Sequence, residues 1–198
     1  FVRTPRGFVS AGEPLTAEVK TVDAAGRPVA ASGTGRVLRV FAEGDKTRTE
    51  EVFAAPVRTD AAGRGLFTWT QSRPGRYEIR FEALDAWEQR VRGSAEAWVA
   101  GDSAGEGVPA NVQVRLIPEF TTYRPGQKAR VLLVADQPNA TVLVCQQAGS
   151  KLLDQRVVRV DGRTSIIEVA LSRTASPDLT VAVSGGKKRL HCHTEAAH

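Results

Sequence analysis

A tight turn followed by an alternating strand occurs twice in this chain, and that repeat constrains the fold more than any other feature. In Tyr123-Arg-Pro-Gly126-Gln-Lys-Ala129-Arg-Val131-Leu-Leu133-Val134, Pro-Gly supplies the turn. Proline holds φ near −65° and glycine takes the positive φ that other residues avoid. Ala129, Val131 and Leu133 then fall on one face of a strand, with Lys128 and Arg130 on the other. Near the start, Gly12 stands where the second copy has Gly126, and Leu15, Ala17 and Val19 stand where it has Ala129, Val131 and Leu133. One alignment offset covers all of these positions, so the chain reads as two similar β domains in tandem. With 198 residues, each would have roughly 95, an ordinary β-sandwich size.

The first half continues as short strands between turns. Residues 1–8 read as an edge strand around Phe1-Val2 and a loop. Asp23-Ala-Ala-Gly-Arg27 reads as a turn, and the same five letters return at Asp60-Ala-Ala-Gly-Arg64, marking two turns of similar geometry. Thr47–Val57 is polar enough to be an edge strand. In Arg73-Pro-Gly-Arg-Tyr77-Glu-Ile79-Arg-Phe81-Glu-Ala83 the apolar residues point one way and Arg76, Glu78, Arg80 and Glu82 the other. Tyr77, just after a Pro-Gly turn, is placed to return its hydroxyl to nearby backbone, as tyrosine corners do. Arg90–Val99 closes the half, with Trp98 facing away from Val91, Ala95, Ala97 and Val99. The small, polar stretch Gly101–Ala110 reads as a linker. The expected division is therefore one domain at 1–101, a linker at 102–110 and a second domain at 111–198.

In the second half, strands are expected around Val112–Leu116, Ala129–Val134, Ala140–Gln147, Lys151–Val160, Ser165–Leu171, Leu179–Val183 and Lys188–Thr194. Asp161-Gly162 is a hairpin signal. Turn signals come every ~8–12 residues and no helical periodicity lasts three turns. The expected architecture is all-β: two tandem seven-stranded antiparallel β-sandwiches of immunoglobulin or fibronectin-III type.

Charge and composition narrow the function. The net charge is +5, but basic residues alternate with acids along the strands, as in Arg76–Glu82. Nucleic-acid binders gather charge into patches interleaved with aromatics, and the only short run is Lys187-Lys-Arg189, so no nucleic-acid partner is expected. No apolar run approaches the ~18 residues of a membrane span, so no direct membrane insertion is expected. The chain has no Met and reads as a piece of something longer, or as a processed form.

Candidate chemistry is sparse. Cys145 and Cys192 fall on strands that an immunoglobulin-type order would separate by about two strand spacings, ~9–10 Å, too far for a disulfide; two free thiols are expected. All three histidines, His191, His193 and His198, lie in the last eight residues. His191 and His193 share one strand face, which permits two metal ligands but shows no third or fourth. Glu50-Glu51 are adjacent on an edge strand and face opposite ways, so they cannot work as an acid–base pair. No phosphate loop, His-Glu-x-x-His or Ser-His-Asp arrangement is evident. Asn139-Ala-Thr141 matches a glycosylation sequon, relevant only in a eukaryotic secretory context. Trp69 and Trp98 are expected in packing, and Trp87, in a turn, is the tryptophan to check for exposure. The expectation is no enzyme: no catalytic, cofactor-binding or metal residue, and no cofactor.

These residues resemble a known family. Thr59-Asp-Ala-Ala-Gly-Arg64, Phe67-Thr-Trp-Thr70, Pro74-Gly-Arg-Tyr77-Glu-Ile-Arg80, Ala83-Leu-Asp85 and Ala97-Trp-Val99 look like the end of one macroglobulin-like (MG) domain of bacterial alpha-2-macroglobulins. Leu116, Tyr123-Arg-Pro-Gly126, Ala129-Arg-Val-Leu132, Ala140-Thr-Val-Leu-Val144, Asp161-Gly162 and Ile166-Ile-Glu-Val169 look like the opening of the next. The resemblance covers nearly the whole chain. Two stretches depart from it: Asp85-Ala-Trp-Glu-Gln-Arg90, where the family often has a Gly-containing turn, and the C-terminal Lys187–His198. The resemblance implies a structural fragment of a broad-spectrum endopeptidase inhibitor in the periplasm or outside the cell. In such proteins MG domains form a shell around a bait segment, and bait cleavage collapses the shell around the protease. The implied partners are neighbouring MG domains of the same chain and, through the full-length protein, target proteases. The family's Cys-x-Glu-Gln thioester motif is absent; Cys145-Gln146-Gln147 lacks it. The rival expectation is an extracellular binding or adhesive sandwich pair, for example carbohydrate-binding, which an exposed aromatic strip would favour.

Overall fold

Two compact units divide the chain, Phe1–Val99 and Ala100–His198. The computed structural model describes residues 1–43, 46–85, 87–101, 114–124, 126–135, 138–148, 151–171 and 180–185. Among them all regular structure is β-strand and none is helix, as the period-two alternation predicts.

The first unit has strands β1 (Val2–Arg3), β2 (Phe8–Ser10), β3 (Pro14–Lys20), β4 (Ser32–Glu43), β5 (Lys46–Arg58), β6 (Arg64–Thr70), β7 (Gly75–Leu84) and β8 (Arg90–Ala100). They form one sheet in the order β1-β3-β6 and another in the order β2-β8-β7-β4-β5. The loop expected up to residue 8 gives way to a strand at Phe8–Ser10. The N-terminal segment thus splits between sheets: β1 pairs with β3, and β2 lies beside β8. Among the described residues the first unit thus has eight strands, where seven are expected. Val2, Phe8 and Val9 are all buried, so burial tethers both pieces. β5 lies at the edge of its sheet, as its polarity indicates.

The second unit repeats the plan. Its described strands are β9 (Val114–Pro118), β10 (Lys128–Ala135), β11 (Thr141–Ala148), β12 (Lys151–Arg159), β13 (Thr164–Ala170) and β14 (Thr180–Gly185). The sheets run β13-β10-β9 and β12-β11-β14. β10 sits between β9 and β13 as β3 sits between β1 and β6. β11 sits between β12 and β14 as β4 sits between β5 and β7. The turn before the central strand also repeats: Gly12 has φ +84° and Gly126 has φ +83°. Gly12 N–H donates to the Gln71 carbonyl at 2.9 Å, and Gly126 N–H to the Leu171 carbonyl at 3.0 Å. In each case the amide just before the central strand closes onto the residue just after its partner strand.

One expectation is corrected by this topology. Asp161-Gly162 does not make a hairpin: β12 before it pairs with β11, and β13 after it pairs with β10, in the other sheet. Gly162 does take a positive φ of +76°, so the turn chemistry is as read, but the chain uses it to cross between sheets. The reason is burial. Val160, entering the turn, and Ile167 and Val169, leaving it, join one core from two sheets.

Each unit has its own core. In the first, Leu15, Ala17, Val19, Phe67 and Trp69 from one sheet meet Val37, Tyr77, Ile79, Phe81, Ala97 and Val99 from the other. Phe67 stacks on Phe53 at 6.4 Å and tilts against Trp69 at 5.9 Å. In the second, Ala129, Val131, Leu133, Ile167 and Val169 meet Val142, Val144 and Val181.

Candidate functional site

The first unit's Pro-Gly turn is held by the corner that the sequence indicates. β7 carries Tyr77 into the core with no exposure, and its hydroxyl donates to the Arg73 carbonyl at 2.6 Å. Arg39, on β4 directly opposite Tyr77, is 2% exposed and lies over the Phe41 ring at 5.4 Å. Burial pushes the Tyr77 phenol above its ordinary range, while the Arg39 and Arg73 cations beside it pull the other way. The burial of Arg39 was not legible in sequence. Its face was legible, since plain alternation puts Arg39 on the side of Val37, but an arginine there ordinarily reads as exposed. The register shift between Val37 and Leu38 belongs to the β4–β5 pairing, where Val52 is the extra residue, and leaves the β4–β7 register unbroken.

The outer face of the same sheet is a ladder of opposite charges. Arg76 pairs with Glu96 at 2.6 Å, Arg80 with Glu78 at 2.7 Å, and Arg36 with Glu51 and, at 3.5 Å, with Glu82. Arg80 holds the Glu78 carboxyl below its usual range. Glu50 points elsewhere, toward Arg73 at 3.8 Å. The two adjacent glutamates therefore serve separate ion pairs on separate faces. Basic and acidic groups neutralise one another across this face, so it offers no single-sign field to a polyanion.

Three turns of the first unit share one construction. Asp23 accepts from Ala25 N–H and Arg27 N–H through Oδ1, each at 2.9 Å, while its own N–H donates to the Arg27 carbonyl and Gly26 N–H donates to the Asp23 carbonyl. Asp60 repeats this with Arg64 N–H at 2.8 Å and with Gly63. Asp85 repeats it with Trp87 N–H at 2.9 Å and Gln89 N–H at 2.8 Å. The glycines have φ of +79° and +69°, and Glu88 takes their place at φ +59°. The departure seen at Asp85–Arg90 is therefore a substitution within the same turn, not a different turn. Trp87 is 75% exposed, while Trp69 and Trp98 are buried. Trp98 donates its indole N–H to Glu96 at 3.0 Å. No strip of exposed tryptophans forms among the described residues.

In the second unit, Tyr123 closes the turn before β10 in another way. Its hydroxyl accepts from Phe120 N–H at 2.9 Å and donates to the Arg130 carbonyl at 3.3 Å. A cleft of about 680 Å³ lies beside it, lined by Phe120, Thr122, Tyr123, Arg124, Gln127 and Lys128. Its described lining holds no carboxylate, imidazole or thiol. Cys145 is a half-buried free cysteine in the middle of β11, opposite Gln155 of β12 and Ala182 of β14. Backbone bonding on both sides keeps Cys145 and Gln146 on an extended strand, where neighbouring side chains face opposite ways. That geometry turns the Cys145 and Gln146 side chains away from each other. Asn139 of the sequon is exposed and left-handed, at φ +58°, a conformation that asparagine tolerates better than most residues.

Cys192, His191, His193, His198 and Lys187–Arg189 lie outside the described residues. Among the described residues no three His, Cys, Asp or Glu side chains gather as metal ligands, and no helix is long and apolar enough to cross a membrane.

No family model matches the chain. It is 30% identical to the alpha-2-macroglobulin homolog of Deinococcus radiodurans over 173 residues, which is 82% of this chain and 16% of that protein. Over most of its length the chain is similar to that alpha-2-macroglobulin homolog. The match covers more of the chain than either unit contains, so it runs through both. Two solved structures are also similar: E. coli alpha-2-macroglobulin in its native conformation, at 18% identity over 90% of this chain and 12% of that one with a TM-score of 0.39, and a Salmonella alpha-2-macroglobulin, at 18% identity over 89% and 12% with a TM-score of 0.39. The chain therefore spans about one sixth of the length of the curated relative that it matches.

Proposed function

We propose that this chain is a structural pair of MG domains, at 1–101 and 111–198 with a linker at 102–110, from a longer endopeptidase inhibitor of the cell envelope, periplasmic or extracellular. The observation that carries this reading is the 30% identity running through both units. The repeated plan of the two units supports it.

In this reading the segment does no chemistry of its own. It supplies stiff walls: cores that hold two sheets together, a tyrosine corner that pins the turn into β7, and a self-neutralised outer face. Trapping belongs to the whole molecule. A protease cuts a bait segment, the shell closes on it, and large substrates no longer reach it. The partners are neighbouring MG domains of the same chain and the trapped protease, with no cofactor. The buried Trp69 and Trp98 leave little to favour the carbohydrate-binding alternative.

The test uses the longest natural form of the protein with a panel of endoproteases. Cleavage at one exposed segment, compaction on native gels, and lost activity on large but not small substrates are expected. Cleavage without compaction or protection, for every protease tried, would sink the trap.

A further inference from the structure

Trp87 stands on a turn that the fold builds three times. In the other two copies its position is held by Ala25 and Ala62, and the next by Gly26 and Gly63. The Asp-centred bonds are the same, so closing the turn requires neither Trp87 nor Glu88. Trp87 is nevertheless the most exposed large apolar side chain among the described residues, and Glu88 sits in a left-handed conformation that glycine adopts without strain. Leu84 and Val91, at the two strand ends of the same hairpin, are also exposed.

We infer that this hairpin tip is a docking knob. Trp87 enters an apolar recess on a domain of the same polypeptide beyond residues 1–198, with a basic side chain at the rim to meet Glu88. The inference rests on the reading of the chain as a segment of a longer protein. Area chooses the occupant. One tryptophan buries ~150–250 Å². Leu84 and Val91 lie on opposite faces of the hairpin, because Val91 pairs with Ala83, so only one of them can extend the same patch. A stable interface with a free partner takes roughly 500 Å² or more from each side. A domain on the same chain is held at an effective concentration in the millimolar range, at which one small contact suffices.

The test is made on the longest natural form. Hydroxyl-radical oxidation of Trp87 is compared with that of buried Trp69 and Trp98 in the same molecules, and a photo-crosslinking residue at position 87 identifies what lies against it. Oxidation of Trp87 within about threefold of the two buried tryptophans is expected, with a crosslink to a peptide of the same chain outside 1–198. In W87A, which restores the residue of the other two turns, that peptide should gain at least tenfold in amide exchange. Oxidation of Trp87 ten times faster than the buried pair would overturn the proposal. So would a crosslink only to a separate molecule, or protection that appears only on adding a saccharide. The protease assay is read separately: an intact crosslink without trapping removes the inhibitor role and leaves the docking.

Discussion

Three turns that share an Asp differ in what they tolerate at the left-handed position. A methyl group added at Gly26 would meet open space, whereas one added at Gly63 would collide with the Thr21 carbonyl oxygen. Gly26→Ala is therefore expected to cost about 1 kcal/mol, the left-handed penalty alone. Gly63→Ala should cost about 2–4 kcal/mol, because backbone must move as well. Glu88→Gly should stabilise by about 0.5–1 kcal/mol, since relief of the left-handed penalty exceeds the entropy that glycine adds to the unfolded chain. Urea midpoints of the three variants measure all of this. Equal losses for Gly26→Ala and Gly63→Ala would contradict the close approach at Thr21.

At the scale of the element, β7 is the strand on which the first unit depends. It lies between β4 and β8, and every second residue is buried. Tyr77→Phe keeps the ring and removes the hydroxyl that the Arg73 carbonyl accepts from. A loss of about 1–2 kcal/mol is expected. The phenol's raised pKa gives a sign in alkali. Its contribution is complete below the unfolded value near 10 and is lost as pH rises through the higher folded value. Unfolding titrations should show wild type losing stability above pH ~10 more steeply than Tyr77→Phe; parallel curves would remove Tyr77 as the cause. Acid acts on the other face of the strand. Glu78 is held below its ordinary 4.5 first by the Arg80 hydrogen bond, so its contribution is present above that value and fades as pH falls through the folded one. Glu78→Gln should flatten stability between pH 5 and 3 by under ~1 kcal/mol, as befits a partly exposed pair.

For the whole molecule, two cores without a shared residue imply two unfolding events. Ile79→Ala and Leu133→Ala, each at a position with no exposure, should each cost about 2–5 kcal/mol. Calorimetry should show each variant lowering a different transition. A single transition moved alike by both would mean that the units unfold as one. The topology explains why short motifs recur with different duties. Asp23 and Asp60 turns lead from one sheet to the other, while the Asp85 turn joins the hairpin β7–β8.

What the amino-acid order determined by itself was whatever depends on near neighbours. Period-two alternation at Tyr77–Ala83 settles strand and face, and positive φ at Gly12 and Gly126 settles where each central strand begins. The matching offset between those two places was enough to expect a duplicated β plan. The tyrosine corner was legible too, because ring and carbonyl acceptor lie four residues apart. Only tertiary structure decided which strands share a sheet. Asp161-Gly162 carries the chemistry of a tight turn whether the chain returns to its neighbour or crosses over, and the choice is made by core residues distant in sequence, such as Val142 and Val169. Tertiary structure likewise buried Arg39: alternation places it on the face of Val37, but only its position opposite Tyr77 and over the Phe41 ring keeps the cation inside. It also revealed Glu88 as a stand-in for glycine, because a shared set of backbone hydrogen bonds can be compared only once the chain is folded.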